Sequence, residues 1–187
     1  KAWLTAQLLW DAEQDYNFLI EEFYNEFFGK ASDDMFNFYN LSEIHRTRNE
    51  GKASWIKYYY NEAGIELFDT KTIKKMRDHL DLAKGKVLLN TRFGKRVEVV
   101  SQAFRLTELY SNFHATRKSL VNLVINKGNQ DKSINRKALD LLLARESFMN
   151  YIDTLKHKNL HSEIKNFKLL GQTDPIYLSL IPIYKNE

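Results

Sequence analysis

Two long segments in the second half of the chain carry mainly apolar residues at alternating intervals of four and three. The first runs Val99, Ala103, Leu106, Tyr110, Phe113, Arg117, Leu120, Val124, and the second Ile134, Ala138, Leu141, Arg145, Phe148, Ile152, Leu155. This spacing places each set on one face of an α-helix. Only the short, glycine-bearing stretch 127–131 separates them. The sequence therefore predicts two long helices folded back as an antiparallel hairpin.

Amphipathic segments with helical spacing also precede the hairpin. Ser32 or Asp33 is a candidate N-cap for a helix that ends near Arg48, and Thr70 or Thr72 for a fourth helix. Residues 54–68 break the pattern and are interpreted as an ordered loop, and residues 90–95 as a polar connector. Both prolines lie after residue 174. We expect an all-α fold, a multi-helix bundle with a long C-terminal antiparallel hairpin and an irregular tail over 171–187.

The opening residues predict two apolar helices around an acidic turn. Trp3, Ala6 and Trp10 have helical spacing, and Asp11 and Asp15 are N-cap residue types. An apolar stripe then runs through Tyr16, Leu19, Ile20, Phe23 and Phe27. Gly29 stands where the second helix needs a left-handed C-cap. Trp3 and Trp10 are interpreted as core residues or as contacts to a neighbouring domain.

This opening block resembles the helical region that follows the catalytic barrel in α-glucuronidase-like bacterial glycoside hydrolases, a family whose C-terminal domain is a domain of unknown function. The resemblance rests on Leu-Leu-Trp-Asp, a short acidic turn, and an Ile-Glu-Glu-Phe-Tyr helix that ends in Phe-Gly-Lys-Ala. It covers 2–39, continues in register at 69–83 and 97–110, and fades after residue 155. These are packing and capping residues, so the pattern is moderately specific.

The resemblance implies a single helical domain over 1–187, a fragment that follows an absent barrel. It would be the non-catalytic C-terminal module of a glycoside hydrolase, supporting the barrel or an oligomer interface. The implied partner is the upstream catalytic barrel of the same polypeptide, with a homodimer or an oligosaccharide as further partners, and the implied location is periplasmic or secreted. The 187 residues fall short of the ~200 that a complete barrel needs, so we expect no glycosidase activity from this chain alone.

Composition leaves a second function class open. Lys and Arg number 28 against 24 acidic residues, which gives a net charge of +4, and the two signs are interleaved. The alternative is a basic helical protein- or nucleic-acid-binding module unrelated to carbohydrate. Interleaved charge and the lack of a nucleic-acid-binding signature disfavour nucleic acid. The chain has no cysteine, which excludes thiolate metal sites, and no apolar run of membrane-spanning length, so no membrane partner is expected.

The best binding candidates by sequence are aromatic. Trp55, Tyr58, Tyr59 and Tyr60 fall within six consecutive residues, and such a cluster cannot all face one core. Flat rings with polar edges suit sugar faces and protein surfaces alike. The alternative, which we favour, is that they pack over the helices.

Arg117 and Arg145 interrupt the apolar stripes of the hairpin. A buried guanidinium needs a carboxylate or a path to solvent. We expect ion pairing or exposed tips across the hairpin, and the functional alternative is that both bind a substrate carboxylate such as a uronic acid. His157 and His161 have a metal-binding spacing but no visible third ligand, so they are interpreted as surface residues. No metal, cofactor or catalytic residue is predicted.

Overall fold

The computed structural model describes residues 2–48, 66–127 and 132–157, and every regular element among them is helical. The all-α prediction is confirmed. The α-helices are α1 (Ala2–Trp10), α2 (Tyr16–Phe28), α3 (Ser32–Arg48), α4 (Thr70–Gly85), α5 (Arg92–Lys127) and α6 (Lys132–His157), with one 3-10 turn at Gly29–Ala31 between α2 and α3.

The predicted N-cap of α2 is present, and Gly29 ends the helix at positive φ but outside the predicted left-handed helical conformation. The Asp15 carboxylate accepts hydrogen bonds from the backbone N–H groups of Asn17 (2.7 Å) and Phe18 (3.3 Å), which satisfies free donors of the first turn. At the other end Gly29 has φ +58° and ψ −128°, and its N–H donates to the Asn25 carbonyl. Positive φ ends α2, so the chain turns directly into α3.

The chain divides into two compact units, Lys1–Phe104 and Arg105–Glu187. In the first unit, α3 and α4 supply most of the core. Ile73, Met76, Leu80 and Ala83, which are spaced by three and four residues along α4, are all buried. The residues that share this core come from α2, α3, α4, the 3-10 turn and the start of α5: Phe28, Ala31, Met35, Phe38, Ile73, Met76, Leu80, Ala83, Val97, Phe104.

Two predicted helix starts are wrong. The N-cap of α4 is Asp69, whose carboxylate accepts the Thr72 N–H at 2.6 Å, while Thr72 is buried in the first turn. Helix α5 begins at Arg92, inside the stretch predicted as a connector. The Thr91 hydroxyl accepts the Gly94 N–H at 3.1 Å, so a side-chain cap starts this helix despite its polar sequence.

The prediction is also wrong for the first residues of the α5 stripe. Val99 is 54% exposed and Ala103 is exposed, whereas Val97, Ser101 and Phe104 are buried. One helix takes part in two cores, and its buried face changes between them. The regular spacing of buried residues in the second half of α5 does not extend back into the first half of this helix.

The second unit contains the predicted hairpin of α5 and α6. Leu120, Leu123 and Val124 pack with Ile134 and Ala138 in one cluster. In a second cluster, residues from the middle of α5, earlier in the chain than those of the first cluster, pack with residues late in α6: Leu106, Leu109, Tyr110, Phe148, Ile152, Leu155. Early residues meeting late ones require antiparallel helices. The tail over 171–187 lies outside the described residues, and the single-domain prediction stays a prediction.

Candidate functional site

Helices α1 and α2 form an antiparallel hairpin around the acidic turn 11–15. The ring centroids of Trp3 and Phe23 are 5.5 Å apart, so the start of α1 lies beside the second half of α2. In the turn, the Gln14 side chain donates to the Gln7 carbonyl at 3.2 Å, and the Glu13 N–H donates to the Asp11 carboxylate at 3.0 Å. These bonds bring the end of α1 and the start of α2 together.

The turn end of this hairpin exposes a group of large apolar side chains. Leu9 is 83% exposed, Trp10 90%, Tyr16 52% and Phe18 63%. We call these four residues the Trp10 end. None of the nine residues of α1 is buried, although the helix contains no charged residue. The interpretation of Trp10 as a core residue is therefore wrong, while Trp3 is half-buried against Phe23.

Carboxylates surround the Trp10 end. Asp11, Glu13 and Asp15 in the turn are all exposed, as are Glu21 and Glu22 on α2. Residues three and four apart are neighbours on a helix, so Glu21 and Glu22 flank Phe18. Residues 2–29 contain no Lys, Arg or His. The charged residues of the α1–α2 hairpin itself are thus all acidic.

The other end of α2 is fixed to the core by aromatic contacts. Phe28 is buried, and Phe27 stacks on Phe23 with ring centroids 5.2 Å apart. The Arg96 guanidinium lies 3.9 Å from the centroid of the Phe27 ring and donates to the Phe27 carbonyl at 2.8 Å. A cation over an aromatic face adds to the packing. The hairpin is therefore anchored at this end, opposite to its exposed one.

Tyr24 on α2 also belongs to the anchored part. Its ring packs edge-on against Phe36, with centroids 5.4 Å apart, and faces Tyr39 at 6.3 Å. Burial, followed by the charges of Tyr39 and Tyr16 when ionised, raises the pKa of Tyr24 to about 12. Burial likewise raises the pKa of Tyr39. Both phenols therefore stay neutral at physiological pH and act as packing residues.

A charged cluster in the first unit has a structural explanation. The Lys86 ammonium lies 2.6 Å from one Asp34 oxygen, and the His79 Nδ1 lies 3.7 Å from the other. The hydrogen bond to Asp34 raises the pKa of Lys86. Asp34 stands in the first turn of α3 and Lys86 just after α4, where each charge is favourable to the local helix dipole. The cluster joins two helix ends, so we assign it no chemistry.

A shallow groove of about 370 Å³ lies on the α5–α6 hairpin. Its hydroxyl groups are already used within their own helices, since Thr116 donates to the Asn112 carbonyl and Ser147 to the Leu143 carbonyl. On its wall, the Lys137 Nζ lies 3.7 Å from the Asp140 Oδ2. This groove offers no buried polar group directed at a ligand.

The predicted site residues fall in different parts of the chain. Trp55, Tyr58, Tyr59 and Tyr60 lie outside the described residues. Arg117 and Arg145 are half-buried on the α5–α6 hairpin, and each takes part in an interaction within the structure. Neither the sugar-binding nor the carboxylate-binding hypothesis is tested by these positions.

Among residues 2–48, 66–127 and 132–157, no three His, Asp or Glu side chains are grouped so as to hold a metal ion. Within the same residues, no helix is long and apolar enough to cross a membrane. Comparison of the chain with protein-family models, with curated proteins and with solved structures finds no match.

Sequence reasoning placed Tyr16 in an apolar stripe and did not single out Leu9 or Phe18. A signal for the Trp10 end was nonetheless present, because α1 is short, uncharged and directly followed by three carboxylates within five residues. With only Thr5 and Gln7 as polar residues, α1 has little polar surface to turn toward water.

Proposed function

We propose that this chain is a non-catalytic helical module that binds a protein surface through its Trp10 end. The observation that carries the proposal is the 90% exposure of Trp10 at the end of a helix with no buried residue. Large apolar side chains left exposed at one end of a hairpin are typical of interaction sites. Tryptophan and tyrosine are also the side chains that most often dominate binding energy at interfaces.

The module is proposed to act within a glycoside hydrolase, with the catalytic barrel of the same polypeptide as the surface that it binds. This part of the proposal rests on the resemblance of residues 2–39 to the region after such barrels. The coding sequence upstream of residue 1 provides a direct test. A continuous reading frame that encodes a barrel with paired carboxylates would support the barrel as partner, and an in-frame stop codon directly upstream would exclude it.

Docking by the Trp10 end is tested by site-specific photo-crosslinking in the source cells, within the complete polypeptide that the gene encodes. A benzophenone amino acid replaces Trp10 or, separately, Phe18. The control position is Leu139, an exposed apolar residue of α6 (47%) in the other unit. Peptide mapping then identifies the surface to which each position attaches.

We expect crosslinks from Trp10 and Phe18 to one shared patch of one protein surface, and none to that patch from Leu139. In the purified pair, or as protection from hydrogen exchange in a single polypeptide, Trp10→Ala should weaken the contact at least about tenfold, a difference of about 1.4 kcal/mol. Equal crosslinking from all three positions, or an unchanged contact in Trp10→Ala, would contradict the proposal.

A further inference from the structure

The two signs of charge are interleaved over most of the chain, but not over its first helices. Residues 2–29 contain six carboxylates and no basic residue, so this segment carries −6. The whole chain carries +4, and the remaining residues together carry +10. Negative charge is therefore concentrated on the α1–α2 hairpin, in a protein that is otherwise basic.

The carboxylates lie where they would meet a bound partner. Asp11, Glu13 and Asp15 form the turn beside Trp10, and Glu22 is one helical turn from Phe18. An incoming surface must therefore bury apolar side chains and face several negative charges at once.

On the basis of the proposed function, we infer that the partner presents apolar side chains flanked by lysine or arginine, as a cationic amphipathic segment or patch of a protein. Complementary charge accelerates encounter and selects among partners, while the buried aromatic groups supply the affinity. Like-charge repulsion makes nucleic acid and anionic bilayers poor ligands for this end.

The same argument disfavours a two-fold dimer through the Trp10 end. In such a dimer each subunit uses the same patch, so the six carboxylates of one copy would face those of the other. The basic residues of this chain lie outside residues 2–29 and could not neutralise that contact from within the hairpin. A different, cationic surface is the complementary occupant.

The experiment uses the full chain and two designed helical peptides of about 18 residues, long enough to form a helix. Both have the same leucine face, and the polar face is lysine in one and glutamate in the other. Fluorescence anisotropy of the labelled peptides gives the dissociation constants. Because the chain as a whole is basic, overall charge works against binding of the lysine peptide, and a preference for it must come from a local acidic surface.

Variants locate the surface. Glu13→Lys with Glu22→Lys, the reversed variant, reverses the sign of two side chains and leaves little net negative charge at the Trp10 end. Asp78→Lys with Glu146→Lys makes the same change in net charge at exposed positions elsewhere. We expect the wild-type chain and the control to bind the lysine peptide at least about tenfold more tightly than the glutamate peptide. The reversed variant should lose most of this preference. Added salt should weaken the lysine complex.

The outcomes separate the two proposals. If both peptides bind equally and Trp10→Ala abolishes both, apolar docking stands and the cationic partner is refuted. If neither peptide binds, or Trp10→Ala leaves binding of the lysine peptide unchanged, the Trp10 end is not a docking site and both proposals fail. If the control double variant loses the preference as fully as the reversed variant, the charge effect is not local and the inference fails.

Discussion

Three glycines in the first unit allow a matched test of the backbone geometry that joins the helices. Gly29 links α2 to α3 at φ +58°, a conformation that side-chain-bearing residues rarely adopt. Gly94, in the first turn of α5, packs directly against the backbone of Leu88. Gly85 ends α4, and a methyl group added there would meet nothing within 4 Å. Alanine at each position adds the same single carbon to three different environments.

The expected effects follow from these environments. In Gly29→Ala the new carbon would lie 3.1 Å from two carbons of the Phe93 ring, in addition to the cost of positive φ. Strain of this kind costs about 1–3 kcal/mol, so we expect a loss of about 2 kcal/mol. In Gly94→Ala the obstacle is the Leu88 carbonyl, which cannot rotate away as a side chain can, and we expect a loss of about 2 kcal/mol or more. Gly85→Ala should gain between zero and about 1 kcal/mol, because alanine restricts the unfolded chain.

Urea unfolding, followed by circular dichroism at 222 nm, measures the stability of all three variants. With a urea dependence of about 2 kcal/mol per molar, Gly29→Ala and Gly94→Ala should lower the unfolding midpoint by about 1 M, while Gly85→Ala leaves it equal or higher. All three sites lie in the same compact unit, so they should report on the same transition. A wild-type midpoint for Gly29→Ala, or equal losses for Gly29→Ala and Gly85→Ala, would refute the reasoning.

Further predictions concern the core, a cap and pH. Leu80 is fully buried and Leu82 is 56% exposed; in thermal unfolding, Leu80→Ala should cost about 2–5 kcal/mol and Leu82→Ala less than about 0.5 kcal/mol. Because Asp69 is the N-cap of α4, Asp69→Ala should lower the melting temperature and Thr70→Ala should not. Folding raises the pKa of Tyr24 from 10.0 to about 12. The stability that depends on its neutral form is therefore complete below pH 10 and is lost as the pH rises toward 12. In urea unfolding, Tyr24→Phe should lose less stability than the wild type between about pH 9 and about pH 11.

The helix content and the main buried stripes could be predicted because they depend on local periodicity. The stripe through Leu80 and Ala83 is buried as its spacing indicates, and so is the stripe of α6 from Ile134 to Leu155, apart from the half-buried Arg145. A stripe of this regularity fits only one helix face, and in these two helices that face is the buried one. Gly29 was predictable for the same reason, since it follows the last turn of an amphipathic helix.

The errors occur where several residues compete for one role. Asp69, Thr70 and Thr72 are all N-cap types within four positions, and only the packing of Thr72 into the core leaves the cap to Asp69. Along α5, Val99 belongs to a regular stripe but is exposed, because the helix faces a different core there. Neither the N-cap of α4 nor the buried face of α5 can be chosen from spacing. Spacing shows which residues share a helix face, but it does not show which neighbouring element covers that face.

The same limit explains why Trp10 could be assigned to the core from sequence. Its spacing from Trp3 and Ala6 is helical, and Trp3 does contact Phe23. A short apolar helix, however, is covered only where a neighbouring element lies against it. Helix α2 begins at Tyr16, on the far side of a turn. Beyond that point Trp10 extends into solvent, together with Leu9 and the carboxylates of the turn. Trp10→Ala should therefore leave the fold intact, and this is what makes it suitable for testing binding separately from stability.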